Sequence, residues 1–341
     1  MRRWSTGTSL ILLLATASWA QAQGGLPAGG LPGGGQAPTA TKVFADPFDG
    51  TQFQHPIAVS ANGLGGFDSD GCAYSSGPQA RATAIATSPT TLFSAPFERF
   101  DRRMTEEQKD GLLPILVRLG EDVEDASTLE PAERFEIAAV VADYLGDGPY
   151  AVGDLHLAAA WTVRDSIVGF LPNLKGPGDQ WSQLVELTPQ AAAVTDPKYR
   201  TIALFDMARL SHRGGFSVER DDFLSLLDTY TPTEGALGKR TEFLLRVARE
   251  EELLARARAS YQEGLTTGQG TPEQQSHYRY LVGDLSRRLG QYDEAKTQLE
   301  AVSLDARADA ETKALVTDIL AVLRVQSRES TVKSTAAPES K

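Results

Sequence analysis

The apolar positions change their spacing once along this chain. Before Phe100 they come in short β-prone pieces, Val43-Phe44, Phe53-Gln54 and Ile57-Ala58-Val59, set among Gly, Ser, Thr and Pro. Asp49-Gly50 lies between two of these pieces and is a tight-turn signal. Residues 42–103 are therefore expected to form a small β-ribbon domain, with long loops around Ser60–Gln79 and no helix. From Thr105 onward the apolar residues recur at helical spacing, as in Leu244, Leu245, Val247, Ala248 and Leu253, and again in Leu315, Ile319, Leu320 and Leu323. Thr105-x-x-Gln108 is a capping box. Asp196-Pro197 and Thr271-Pro272 each place an N-cap beside a proline at the first helical position, and Gln274 completes a second box. Gly146, Gly214-Gly215, Gly264 and Gly290 fall where helices should stop. The pattern predicts roughly nine or ten helices over residues 104–326, joined by short turns and packed as antiparallel neighbours.

One helix pair carries a finer signal. In HYRYLVGDLSRRLGQYDEAKTQLEAV, Val282-Gly283 fills the Leu-Gly place of a tetratricopeptide (TPR) repeat, and Ala295-x-x-x-Leu299 fills its Ala-x-x-x-Phe place. The small residues are expected to let two helices approach closely, with Gly290 and Tyr292 at the turn. Arg279 and Ser286 depart from the usual Trp and Tyr, and one period upstream Arg249 occupies the glycine place. A generic helical hairpin is the alternative.

The ends differ from the middle. Arg2 and Arg3, an apolar run from Ser9 to Ala20 and the small residues of Ala20-Gln21-Ala22 make a tripartite secretory signal with cleavage expected near Ala22, so residues 1–22 are read as a signal peptide. Residues 23–41 read as a Gly/Pro-rich linker, and 327–341 as a tail without apolar periodicity. The run is too short to span a bilayer, which needs about 20 apolar residues. An exported protein, secreted or periplasmic, with no membrane span is expected. Without Arg2 and Arg3 the chain keeps 31 basic against 45 acidic residues, a net charge of −14. That sign repels phosphate backbones and anionic lipid, so nucleic acid is not an expected partner. The single cysteine, Cys72, permits no internal disulfide, which leaves stability to packing.

Three stretches then fall into one pattern. Asp46-Pro47-Phe48-Asp49-Gly50, Asp68-Ser69-Asp70-Gly71-Cys72 and Ser88-Pro89-Thr90-Thr91, followed by Leu157-Ala158-Ala159-Ala160-Trp161 and the RRLGQYDEA segment, resemble a bacterial family, the domain of unknown function 2225. Its members begin with a ribbon holding two C-P-x-C knuckles around a D-S-D-x-C stretch and continue into TPR-like helices. The resemblance implies a mostly α fold, a TPR-like antiparallel helical array preceded by a small β-ribbon domain that has lost its zinc ligands. It places Asp46, Asp49, Ser88 and Thr91 at the ligand positions and keeps Asp68, Asp70 and Cys72 as a retained motif. Carboxylates and hydroxyls are hard ligands that suit zinc poorly, so no metal is expected there, nor any cofactor elsewhere. Packing of Phe44, Phe48, Phe53, Ile57, Leu92 and Phe97 would have to hold the ribbon instead. The family name carries no activity.

Candidate chemistry is sparse. Asp68 and Asp70 offer oxygen ligands for calcium, but Gly71 comes at the fourth position and no Glu follows at the twelfth, so two loop aspartates closing Asx-turns is the simpler reading. Cys72 with His55 and Asp68 or Asp70 could form a nucleophilic set, although no catalytic signature surrounds it and a packed thiol is the preferred reading. His55, His156, His212 and His277 stand far apart without metal-binding spacing. His212-Arg213 before Gly214-Gly215 reads as cations favouring a helix C-terminus. The Arg/Glu interleaving of 239–258 reads as a solvated face of i,i+4 pairs, with a partner-binding face as the alternative. Two function classes remain. One is a non-enzymatic exported scaffold or protein/peptide-binding module acting in the cell envelope. The other is an exported hydrolase or calcium-dependent enzyme with its site in the loops of 42–100.

Overall fold

The computed structural model describes residues 39–59, 64–75, 79–168, 174–228 and 234–336. The expected signal peptide and nearly all of the expected linker lie outside the described residues. Strand β1 (Thr39–Ala45) starts inside the expected linker and pairs antiparallel with β2 (Gln52–Ala58), so that Phe44 faces Phe53. The turn between them comes from Asp46, whose carboxylate accepts Phe48 N–H at 2.7 Å, and from Gly50, whose φ of +76° favours glycine. After the two-residue β3 (Gly66–Phe67), strands β4 (Ile85–Thr87) and β5 (Ser94–Pro96) form a second antiparallel pair. Two 3₁₀ turns, Ala80–Thr83 and Phe97–Arg99, interrupt the region where no helix was expected.

Aromatic packing holds the ribbon, though not all from the expected residues. Phe44 and Phe53 cluster with Ala86, Phe97 and Phe100. Phe48 and Leu92 turn the other way, with Phe93, onto Leu112, Leu116, Ile137 and Val141 of the first two helices. Ile57 is only half-buried and belongs to neither cluster, whereas Phe93, which the sequence reading did not single out, is 1% exposed.

Ten α-helices follow among the described residues: α1 (Glu106–Leu119), α2 (Pro131–Tyr144), α3 (Pro149–Val168), α4 (Gly176–Ala193), α5 (Pro197–Gly214), α6 (Ser217–Asp228), α7 (Glu234–Thr266), α8 (Pro272–Arg288), α9 (Tyr292–Leu304) and α10 (Ala310–Ala336). Between α3 and α4, β6 (Leu174–Lys175) pairs parallel with β3. Both capping boxes form: Thr105 Oγ1 accepts Gln108 N–H at 3.2 Å, and Thr271 Oγ1 accepts Gln274 N–H at 3.3 Å. Asp196 accepts Lys198 N–H at 2.9 Å. Sequence neighbours pack on one another from α2 to α3, α4 through α6 and α7 through α10; α3 lies along α7, and α10 returns against α4. No helix among the described residues is long and apolar enough to cross a membrane.

Two expected boundaries differ. Gly264 does not end α7, which runs to Thr266. It makes room for Tyr150, whose ring would lie 2.3 Å from any Cβ at 264. The last helix continues past Gln326 to Ala336, because Ser327–Ala336 contains neither glycine nor proline to stop it and Pro338 comes only afterwards.

At the α8–α9 pair, a Cβ on Gly283 would meet Leu299 Cγ at 2.8 Å, so glycine is what admits the leucine. Ala295 and Val282 are fully buried. Gly290 falls just past the end of α8, where a stop was expected. With φ +73° and open space around it, it reverses the chain and makes no close contact. Ala295→Leu adds three heavy atoms to the packed seam and is expected to cost about 1–3 kcal/mol. Glu300→Leu on the exposed face of the same helix is expected to stay within about 0.5 kcal/mol. Urea denaturation of both beside the parent measures the contrast, and equal midpoints would remove the packing role of Ala295.

Candidate functional site: a buried arginine–carboxylate cluster

Residues 65–74 form a narrow hairpin. Gly65 N–H donates to Tyr74 O at 3.0 Å, Tyr74 N–H to Gly66 O at 2.8 Å, and Asp68 N–H to Cys72 O at 2.8 Å. Gly71 turns the tip at φ +86°. The hairpin belongs to the sequence range expected to form the ribbon. Its Asp-Ser-Asp tip is buried among the helices, with Asp68, Ser69 and Asp70 each at most 2% exposed.

Side chains from four helices meet the hairpin, and Glu250 of a fifth backs them. Arg164 of α3, itself fully buried, donates from Nη2 to Asp70 Oδ2 at 2.7 Å, from Nη1 to Asp68 Oδ2 at 3.0 Å and from Nε to Glu250 of α7 at 2.7 Å. Arg213, at the end of α5, donates to Asp68 Oδ1 at 2.9 Å and to Gly65 O at 3.0 Å. Gln180 of α4 donates to the same Asp68 oxygen at 2.7 Å, and Tyr74 OH reaches Oδ2 at 2.7 Å. From α8, Asp284 accepts the Ser69 hydroxyl at 2.6 Å, Arg287 Nη2 reaches Ser69 Oγ at 3.2 Å, Arg288 lies 3.6 Å from Asp70, and Tyr280 OH donates to Ser69 O. Arg287 and Arg288 also donate to Gly214 O at 2.9 Å and Arg213 O at 3.1 Å. These two arginines of α8 are the cations that satisfy the C-terminus of α5. The expected pair, His212 and Arg213, turns into the cluster, where His212 Nε2 meets Glu250 Oε2 at 2.7 Å.

Four guanidinium groups thus face four carboxylates, Asp68, Asp70, Glu250 and Asp284. Burial alone would raise Asp70, but Arg164 and Arg288 outweigh it and hold its carboxyl well below the usual range. Burial likewise opposes ionisation of Glu250, yet Arg164 and His212 bring it down to about 2. A carboxylate depressed on folding stabilises the fold above its unfolded value and loses that contribution as pH falls toward the folded one. The protein is therefore expected to lose stability from about pH 4.5 downward through the Glu250 contribution. Glu250→Gln, weaker at neutral pH, should show a shallower acid limb, and denaturation midpoints measured at about pH 6 and about pH 3 test this. Parallel limbs would show that Glu250 is not depressed on folding.

The candidate residues take definite places. Asp70 Oδ1 accepts Cys72 N–H at 3.3 Å, an Asx-turn, but Asp68 makes none; its carboxylate is engaged by side chains alone. A calcium ion bound to these two groups would sit against three guanidinium groups. Cys72 is fully buried, and burial pushes its thiol far above the ordinary range. His55 lies elsewhere, its Nε2 3.1 Å from Thr83 O and its ring among Phe44 and Phe97. Of the four positions the family resemblance singled out, Asp46, Ser88 and Thr91 do meet. Asp46 Oδ2 accepts hydrogen bonds from the hydroxyls of Ser88, Thr91 (2.6 Å) and Thr90 (3.2 Å). Asp49 instead holds Thr51 N–H at 2.8 Å on the surface. Among the described residues no group of three His, Cys, Asp or Glu side chains is arranged to hold a metal ion. The 239–258 face is only partly solvated, since Arg249 and Arg256 reach Glu136 of α2 and Arg258 lies 3.5 Å from Glu294 of α9.

Trp161 of α3 lies against Gly71, and Arg213 stacks 4.2 Å from the centre of the Tyr74 ring. Comparison with family models, curated proteins and solved structures returns no match to this chain.

Proposed function

We propose that this chain is an exported, non-enzymatic helical scaffold that binds a protein or peptide in the cell envelope. Its helices would form a TPR-like antiparallel array, and its ribbon would descend from a zinc ribbon of the domain of unknown function 2225 kind. One observation carries the non-enzymatic reading: the groups with chemical potential in the 42–100 region are paired off or sealed. Asp68 and Asp70 are neutralised by arginines, and the Cys72 thiol is sealed and protonated. A catalyst needs such groups exposed to a substrate at a working pKa, and these have neither property. The close α8–α9 seam at Gly283 and Ala295 supports the TPR-like reading. The convergence of Asp46, Ser88 and Thr91 supports the ribbon's origin, with a carboxylate standing where a metal would bind.

A photo-crosslinking side chain placed at exposed Leu245 or Val185 in the native host should give discrete protein adducts. No adduct at any exposed helical position, together with hydrolytic activity that Cys72→Ala abolishes, would establish the rival enzyme. Amino-terminal sequencing of the envelope protein should begin at or near Gln23. The purified protein is expected to carry no stoichiometric zinc. About one zinc per chain surviving mild chelation would overturn the reading of positions 46, 49, 88 and 91 as vacated ligands.

A further inference from the structure

We propose that the surface formed by Arg164, Arg213, Tyr280, Asp284, Arg287 and Arg288 is a peptide-recognition face for acidic turns, occupied in cis by the chain's own Asp68-Ser69-Asp70 tip. The proposal rests on the binding-module reading above and gives it a ligand class. Three observations carry it.

The first is the kind of contact. The helices read both carboxylates, the serine hydroxyl and two main-chain carbonyls, Ser69 O and Gly65 O. That set recognises a peptide by sequence and backbone together, and side chains from separate helices supply it.

The second is the placement on α8. Tyr280, Asp284, Arg287 and Arg288 follow one another at i, i+4, i+7 and i+8, one stripe of the helix, and all four touch the tip. Leu281 and Leu285 belong to the main hydrophobic core, and Gly283 faces α9. The stripe is thus distinct from the seam and adjoins the core through Tyr280, and the hairpin covers its polar groups.

The third is charge. The tip supplies two of the four carboxylates of the cluster, two buried negative charges set against its guanidinium groups. Buried charge of that size demands a partner. The occupant that fits is dianionic, with two carboxylates spaced as in Asp-x-Asp and a hydroxyl between them. While the hairpin is seated, its tether keeps it at an effective concentration of about millimolar or more, which excludes an external acidic peptide.

The test uses the full mature chain and a synthetic peptide of residues 66–74. Asp68→Asn with Asp70→Asn keeps the hairpin's shape and removes its charges. This variant should bind the peptide at least about tenfold tighter than the parent does, and the peptide should raise its unfolding temperature. A peptide with both aspartates changed to asparagine should do neither. If the variant is unfolded alone, recovery of helical circular dichroism on adding the acidic peptide is the positive result. A folded variant that ignores the peptide, an unfolded one that the peptide does not rescue, or equal binding of the asparagine peptide would each overturn the proposal. Partner adducts obtained by crosslinking alongside a failed peptide test would leave the binding-module reading standing with its surface elsewhere.

Discussion

Arg164→Met is expected to destabilise the protein by about 3–5 kcal/mol, the usual consequence of removing one member from a buried ion pair. Methionine keeps much of the arginine stem's volume and its helix propensity, so packing and local helix formation change little. What is lost is the group that joins three carboxylates of two elements: Asp68 and Asp70 on the hairpin and Glu250 on α7. Asp70 loses its bidentate partner and keeps the Cys72 N–H and the more distant Arg288. Urea denaturation measures the loss, and a midpoint equal to the parent's would show that the cluster contributes no net stability. Asp70→Asn and Glu250→Gln added to Arg164→Met should recover part of the loss, because they remove the charges that the first change leaves unpaired.

Asp46→Ala is the second large effect. The carboxylate accepts hydrogen bonds from Ser88, Thr90 and Thr91 on one oxygen and from Phe48 N–H on the other, and Ser88 is fully buried. Each buried donor left without a partner costs about 1–3 kcal/mol, so truncation should cost at least that much. Asp46→Asn, which keeps one acceptor oxygen, should cost less. The damage should be local: amide hydrogen exchange is expected to accelerate in Ser88–Phe93 and in the Asp46–Thr51 turn before it does in α8 or α9. Leu92 makes this turn sensitive, since its φ of +60° is strained for leucine and persists only while the surroundings impose it. Uniform acceleration over the whole chain would mean that Asp46 acts through global stability alone.

The helices were legible because their signals are local. Thr105 with Gln108 and Thr271 with Gln274 announce themselves within four residues, and the structure forms both boxes. The cluster was not legible because the contacts that join its separate elements span 38 to 219 residues. The composition of the 239–258 stretch also misleads, since Glu250 looks like one more surface charge. A usable signal was present all the same. Phe243, Val247, Glu250, Leu254, Ala257 and Tyr261 are all buried and recur at steps of three and four, and Leu157, Ala160, Arg164 and Ile167 do the same on α3. A charge standing on an apolar stripe implies a buried partner of opposite sign. Here each stripe supplies one, Arg164 and Glu250. The sequence cannot show that an Asp-Ser-Asp turn from the ribbon would complete the set, since that follows from tertiary placement.

The chain has four tryptophans, of which Trp4 and Trp19 fall within the expected leader, so a processed protein would keep Trp161 and Trp181. Trp161 lies against Gly71 at the hairpin tip, and its indole nitrogen has no hydrogen-bond partner among the described residues. Trp181 meets the edge of Phe216 at 5.1 Å, next to the α5 C-terminus that Arg287 and Arg288 hold. The two indoles therefore report on different parts of the joint, Trp161 on the hairpin tip and Trp181 on the α5 end. Withdrawal of the hairpin would wet the first indole and leave the second in its apolar setting, a red shift of about half the emission with helical circular dichroism intact. The protein carries its own optical gauge of whether the acidic turn is seated, readable in solution without a label.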